Sequence, residues 1–155
     1  MSMTILSRLI PIAVMGALAV ALLSLAVNVI SISAPAKPVL YFILWALALI
    51  PAVLLAIGAL AARASYFACR GPNESIVASI ATAVVSAVAG IGLWWFAGRS
   101  FGVTGAIDEY LRALPPGSYQ DLGFLLVVYA LAGAIGGIVD YYLSQGRRCD
   151  INQRG

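Results

Sequence analysis

The chain has 155 residues, of which 63% are hydrophobic and 10% charged, with no histidine and a net charge of +3. Its mean hydropathy is +1.01, and a hydrophobic share above the roughly 45–50% of soluble domains excludes a soluble globular fold. The positive charges are scattered over segment ends, not gathered with aromatics into a basic patch, which excludes nucleic acid as a partner.

Four runs, residues 9–32, 39–62, 75–97 and 121–143, contain no Lys, Arg or Glu. A bilayer core takes roughly 20 apolar helical residues to cross, so each run is long enough to span. The expected fold is an all-α integral membrane four-helix transmembrane bundle, with the lipid bilayer as its first partner. The connectors, residues 33–38, 63–74 and 98–120, are too short for a further domain, so residues 1–155 form one membrane domain.

The first run follows Arg8 and far exceeds the roughly 7–15 apolar residues of a signal-peptide core. It therefore reads as a retained helix, although Ala34-Pro35-Ala36 resembles a cleavage site. Pro11 falls in its first turn, where the missing N–H costs nothing. Asn28, near the outer end, reads as a helix-packing hydrogen bonder. Pro35 and Pro38 bracket the first outer turn. In the second run, Tyr41 and Trp45 sit where an outer aromatic belt belongs. Pro51 lies near the middle and should kink the helix.

The turn Arg70-Gly71-Pro72-Asn73-Glu74-Ser75 leads into the third run, with Asn73 as its N-cap. Trp94 and Trp95 close that run at the outer interface, and Arg99 anchors it there. Tyr66 and Phe67, and later Tyr141 and Tyr142, mark the inner interface. The outer connector contains residues 104–114, where Ile107, Tyr110, Leu111 and Leu114 recur at helical spacing. Asp108, Glu109 and Arg112 take the other face, and Pro115-Pro116-Gly117 ends the segment. This is a short amphipathic helix on the outer membrane surface, either a cover for the top of the bundle or a docking element for a partner or lipid.

Cytoplasmic loops carry excess Lys and Arg. Arg8, Arg63, Arg70, Arg147, Arg148 and Arg154 fall on one side, and Lys37, Arg99 and Arg112 on the other. Both termini are thus expected in the cytoplasm. The preference for Arg over Lys points to a bacterial source, hence a multi-pass protein of the bacterial inner membrane. Cys69 and Cys149 fall on the inner side, isolated from each other and from any histidine, and read as non-catalytic thiols.

Lipid tails are as apolar as leucine, so membrane helices associate where small residues let backbones approach. The third run carries Ala78, Thr82, Ser86 and Gly90 at four-residue intervals, beside Ser75, Ser79, Ala83 and Ala87. The fourth carries Gly133-x-x-x-Gly137. These stripes are the helix-packing candidates, either within the bundle or towards another protein.

Little catalytic chemistry is available. Absence of histidine removes His-based proton relays and Ser-His or Cys-His catalysis. There is no phosphate-binding Gly-rich loop, no Cys-x-x-Cys, no carboxylate in the first span and no acidic ring of the kind that small channels use. Catalytic, metal and cofactor residues are therefore expected to be none. Asp140 is the ionisable residue within a span, and charge there marks a candidate site. Its expected partner is Arg8, Arg63 or Arg147. The leading expectation is a non-enzymatic accessory or structural subunit of a larger membrane protein complex. It would act by helix packing with other membrane subunits or with itself. The alternative is a small homo-oligomeric transporter or channel. In that reading Ser79, Thr82 and Ser86 line a path and Asp140 sits at its inner mouth.

Overall fold

The computed structural model describes residues 3–33, 37–66, 72–102, 105–115 and 123–144. These residues form α1 (Met3–Ser33), α2 (Pro38–Ile43), a π-helical segment (Leu44–Leu49), α3 (Ile50–Tyr66), α4 (Pro72–Phe101), α5 (Ala106–Ala113) and α6 (Gly123–Ser144). The structure is all-helical. Four stretches, Leu6–Ser33, Pro38–Ser65, Pro72–Phe101 and Gly123–Ser144, are long and apolar enough to cross a membrane. They fit a multi-pass membrane protein.

The helices overrun the apolar runs. At about 1.5 Å per residue, the 31 residues of α1 extend about 46 Å, beyond a hydrocarbon core of about 30 Å. Backbone hydrogen bonding continues until a breaker intervenes, whatever the hydropathy of the side chains. Two local expectations change as a result. Pro11 lies inside α1 and not in its first turn. Asn73 is not an N-cap, because α4 begins at Pro72 and Asn73 is already helical. Proline takes that first position because its absent N–H would have no intrahelical partner.

Pro51 acts through a widened turn. Leu44–Leu49 is π-helical, and the Ile50 N–H bonds the Trp45 carbonyl, five residues back. The proline ring excludes a carbonyl four residues before it and supplies no donor. Lengthening the hydrogen-bonded loop just ahead lets α2, the π segment and α3 form one span, with the irregular backbone satisfied inside the helix.

The four spans pack with small and polar residues inward and large apolar residues outward. α3 packs extensively on α6 and α1 on α4, and α4 also meets α3 and α6. Buried positions include Ala17, Ala46, Ala61, Ala83, Ala87, Ser24, Ser79 and Ser86. Leu18, Leu22, Val85, Phe96, Leu131 and Leu143 are exposed. This is the distribution a bilayer favours: the large side chains lose nothing in lipid, and the small ones let backbones close in.

The closest approach joins α3, α4 and α6. A Cβ on Gly58 would strike the Gly133 carbonyl, and a Cβ on Gly136 would strike the Leu55 carbonyl. Neither carbonyl can yield without parting the helices. Ser79 of α4 fills the remaining corner, its Oγ 2.9 Å from the Gly58 carbonyl and 2.8 Å from that of Ser75.

Interior aromatics also depart from expectation. Trp45 and Trp94 are 2% and 4% exposed, and their rings lie 5.5 Å apart inside the bundle. Only Trp95 of the adjacent pair faces outward, since consecutive helical residues point about 100° apart. There the Arg99 guanidinium sits 4.5 Å over its ring.

Candidate functional site

Buried polar groups stand at both ends of the bundle and along α4 between them. At one end α5 folds onto the spans. Gly105 precedes it in an extended conformation and has no side chain with which to cap the helix. The cap comes from α1: Asn28 Oδ1 accepts the Ile107 N–H at 3.4 Å. Ile107 is the second residue of α5, so its N–H is one of the donors a helix start leaves open. A Cβ on Gly105 would lie 2.5 Å from the same Asn28 oxygen, so glycine there makes the bond possible.

Apolar packing completes the attachment. Ile107 is fully buried, Leu111 packs against the same core, and the Tyr110 ring lies 4.7 Å from that of Phe42. Leu114 is half-buried just past the helix, while Glu109 and Arg112 are exposed. The apolar side of α5 is thus turned to the bundle. Asn28 joins a span to this helix and does not bond a second span through its side chain. Its Nδ2 is buried without a partner.

Beneath the cap runs a polar edge of α1. Ser24 Oγ bonds the Val20 carbonyl at 2.7 Å and accepts the Trp45 indole N–H at 2.8 Å. Ser31 Oγ bonds the Asn28 carbonyl at 2.6 Å. The spacing of Ser24, Asn28 and Ser31 on one helical face is visible in the sequence. Their coupling to Trp45 and α5 is tertiary and is not.

The small-residue candidates divide among three neighbours. Ala78 shares a buried cluster with Leu9 of α1 and Ala61 of α3. Ser86 Oγ donates to the Ala13 carbonyl of α1 at 3.2 Å, and Gly90 abuts the Ala17 carbonyl and Val20. Thr82 is buried between these levels. Gly133 faces Ala83 and Ser79, and Gly137 faces Ser79. One α4 stripe therefore meets α1 and the adjacent one meets α6.

At the opposite end Asp140, 5% exposed, accepts a bond from Arg63 Nε at 2.7 Å. Of the three expected partners it is Arg63 that pairs. Arg8 is exposed, and Arg147 lies outside the described residues. The two side chains are unequal: that of Arg63 is 58% exposed and that of Asp140 6%. A buried carboxylate held by an exposed guanidinium keeps its charge compensated while the cation reaches out of the apolar layer.

Compared with protein-family models, with curated proteins and with solved structures, the chain matches none. Among the described residues, no three His, Cys, Asp or Glu side chains come together as a metal site would require. Cys69 and Cys149 lie outside the described residues, as do Thr104, Phe67 and Asp121. Sequence reasoning passed over two hydroxyls that the fold buries without partners, those of Ser65 and Tyr129, and placed a third, that of Ser75, in a packing stripe. A serine or tyrosine in an apolar run carries no mark of whether a carbonyl will meet it.

Proposed function

We propose that this chain is a non-catalytic accessory subunit of a larger membrane protein complex, acting through transmembrane helix packing. The observation that carries the reading is the disposition of α4. Its Ser79 and Ser86 hydroxyls bond carbonyls of α3 and α1, so they face neighbouring helices. A transport path would present them to water. The Ser79 and Ser86 hydroxyls are thus spent on internal contacts, and what other molecules meet is the apolar exterior and the exposed side of α5 with Glu109.

In this reading both termini are cytoplasmic, following the arginine excess on that side. The membrane is a bacterial inner membrane, and α5 covers the outer end of the bundle as the docking element. The second reading, a homo-oligomeric transporter or channel, draws on the buried Asp140 near one end.

The deciding experiment is the native mass of the tagged protein, extracted from its own membranes in a mild detergent, with the co-purifying chains identified. A fixed stoichiometric set of different membrane chains is expected. A pure homo-oligomer overturns the accessory reading in favour of the transporter. Flux in reconstituted vesicles, compared between the native chain and Asp140→Asn, would then test Asp140.

A further inference from the structure

The register of the helices brings three buried polar groups, Ser65, Ser75 and Asp140, to neighbouring levels at the Arg63–Asp140 end. α4 and α6 run antiparallel there. Gly133 lies against Ala83, and Gly137, four residues on, lies against Ser79, four residues back. One more such step sets the Asp140–Tyr141 level of α6 beside Ser75 of α4. Across the α3–α4 seam, Ala61 packs with Ala78, and the next turn brings Ser65 level with Ser75. Asp140 continues the inward face of Gly133, Gly136 and Gly137, all buried.

All three groups have capacity to spare. Ser65 and Ser75 are 2% and 0% exposed, and neither hydroxyl has a protein partner. The usual escape of a helical serine is a bond to the carbonyl four residues back, as Ser24 and Ser79 make. The carbonyl four residues before Ser75 is that of Gly71, which lies outside the described residues. Ser65 could reach Ala61 and does not. Asp140 is a carboxylate with about four acceptor positions, and Arg63 Nε takes one of them. An unpaired hydroxyl in hydrocarbon is costly, as is an under-solvated carboxylate. Hydroxyls that can donate and a carboxylate that can accept thus share one end of the bundle, and neither hydroxyl bonds the carboxylate directly.

We propose that a water site lies at this level: hydrogen-bonded water links the Asp140 carboxylate to the Ser75 and Ser65 hydroxyls and meets the solution beside Arg63. The ligand class follows from the groups. A bridge must accept from or donate to serine and donate to carboxylate, and water does both with two to four partners in a small polar space. The Arg63 charge already balances Asp140, so the site calls for a neutral ligand. The bundle then carries a hydrated vestibule at one end, closed at its base by the Gly58–Ser79–Gly133 contact.

The test is a double-mutant cycle on the full chain in lipid bicelles, read as the melting temperature. Ser75→Ala is expected to lower it by a few degrees, and the loss is expected to shrink or vanish in an Asp140→Leu background, since the bridge needs both ends and leucine offers no acceptor. If Ser75→Ala raises the melting temperature, the hydroxyl was dry and the proposal is overturned. An equal loss in both backgrounds also overturns it. Ser65→Ala repeats the cycle if the Ser75 variant does not fold. Independently, magnetisation transfer from water to backbone amides of the native chain is expected at Ser75 and Asp140 and not at Ser86. Its absence at both of the first two sinks the idea.

Discussion

Asn28 of α1 caps α5 from 79 residues away, its side-chain oxygen accepting the Ile107 N–H while Gly105 leaves it room. The helix start and its cap are thus separated by two whole spans. This ties the position of α5 to the top of α1, and it makes Asn28 and Gly105 a coupled pair.

Gly105→Ala should therefore destabilise the chain by about 1–3 kcal/mol, since the new methyl would overlap the Asn28 carboxamide. Asn28→Ala should cost about 1 kcal/mol, the usual loss for removing a helix cap. In the double variant the overlap with the carboxamide is gone and only the residue 28 Cβ, at 2.9 Å, still crowds the new methyl, so the double loss should fall short of the sum of the two single losses. Amide hydrogen exchange across α5 checks it. Faster exchange at Ile107 and Leu111 in each single variant is the expected pattern, and strict additivity would argue against coupling.

Glycine contacts should separate sharply by position. Gly58→Ala places a methyl on the Gly133 backbone, and Gly92→Ala meets nothing within 4 Å. The first should cost about 1–3 kcal/mol by parting α3 from α6. The second should be neutral or stabilising by up to about 1 kcal/mol, because alanine is the better helix former. Equilibrium unfolding by denaturing detergent distinguishes them, and equal effects would contradict the packing described.

The ion pair should respond asymmetrically. Arg63→Gln leaves Asp140, 5% exposed, without its cation. The loss should be roughly 2–3 kcal/mol, below the 3–5 of a fully buried pair because Arg63 is largely exposed. Asp140→Asn leaves an arginine that can turn to water, and should cost about 1 kcal/mol. Denaturation of the two variants under matched conditions gives the order, and a larger loss for Asp140→Asn would reverse the argument.

Trp45→Phe keeps most of the ring packing and removes the indole donor. Ser24 retains its own bond to the Val20 carbonyl, so no unsatisfied donor remains. The expected loss is about 1 kcal/mol. Trp45→Phe combined with Ser24→Ala should cost little more than the single change, as thermal unfolding of the three variants would show.

Hydropathy and length were enough to read four spans, because apolar runs of that extent have few places to go but a bilayer. The helical stretch around Ile107, Tyr110 and Leu111 was legible for a similar reason: its periodicity is local. The apolar pattern also placed Asp140 as an unusual charge. It did not choose among Arg8, Arg63 and Arg147, since that choice depends on which helices lie side by side.

What only the tertiary structure decided are the relations between distant backbones. Trp45 and Trp94 look like belt residues in sequence, yet they point inward, because the rotation of a span about its own axis is set by its neighbours. Gly58 is one glycine among 15 until the Gly133 backbone crosses it. Asn28 became a cap, and Ser65 and Ser75 became unpartnered, through contacts made across the bundle. Hydrophobicity is a property of each segment alone and can be read along the chain. Hydrogen-bond partners and close approaches belong to pairs of segments, and those pairs exist only once the chain has folded.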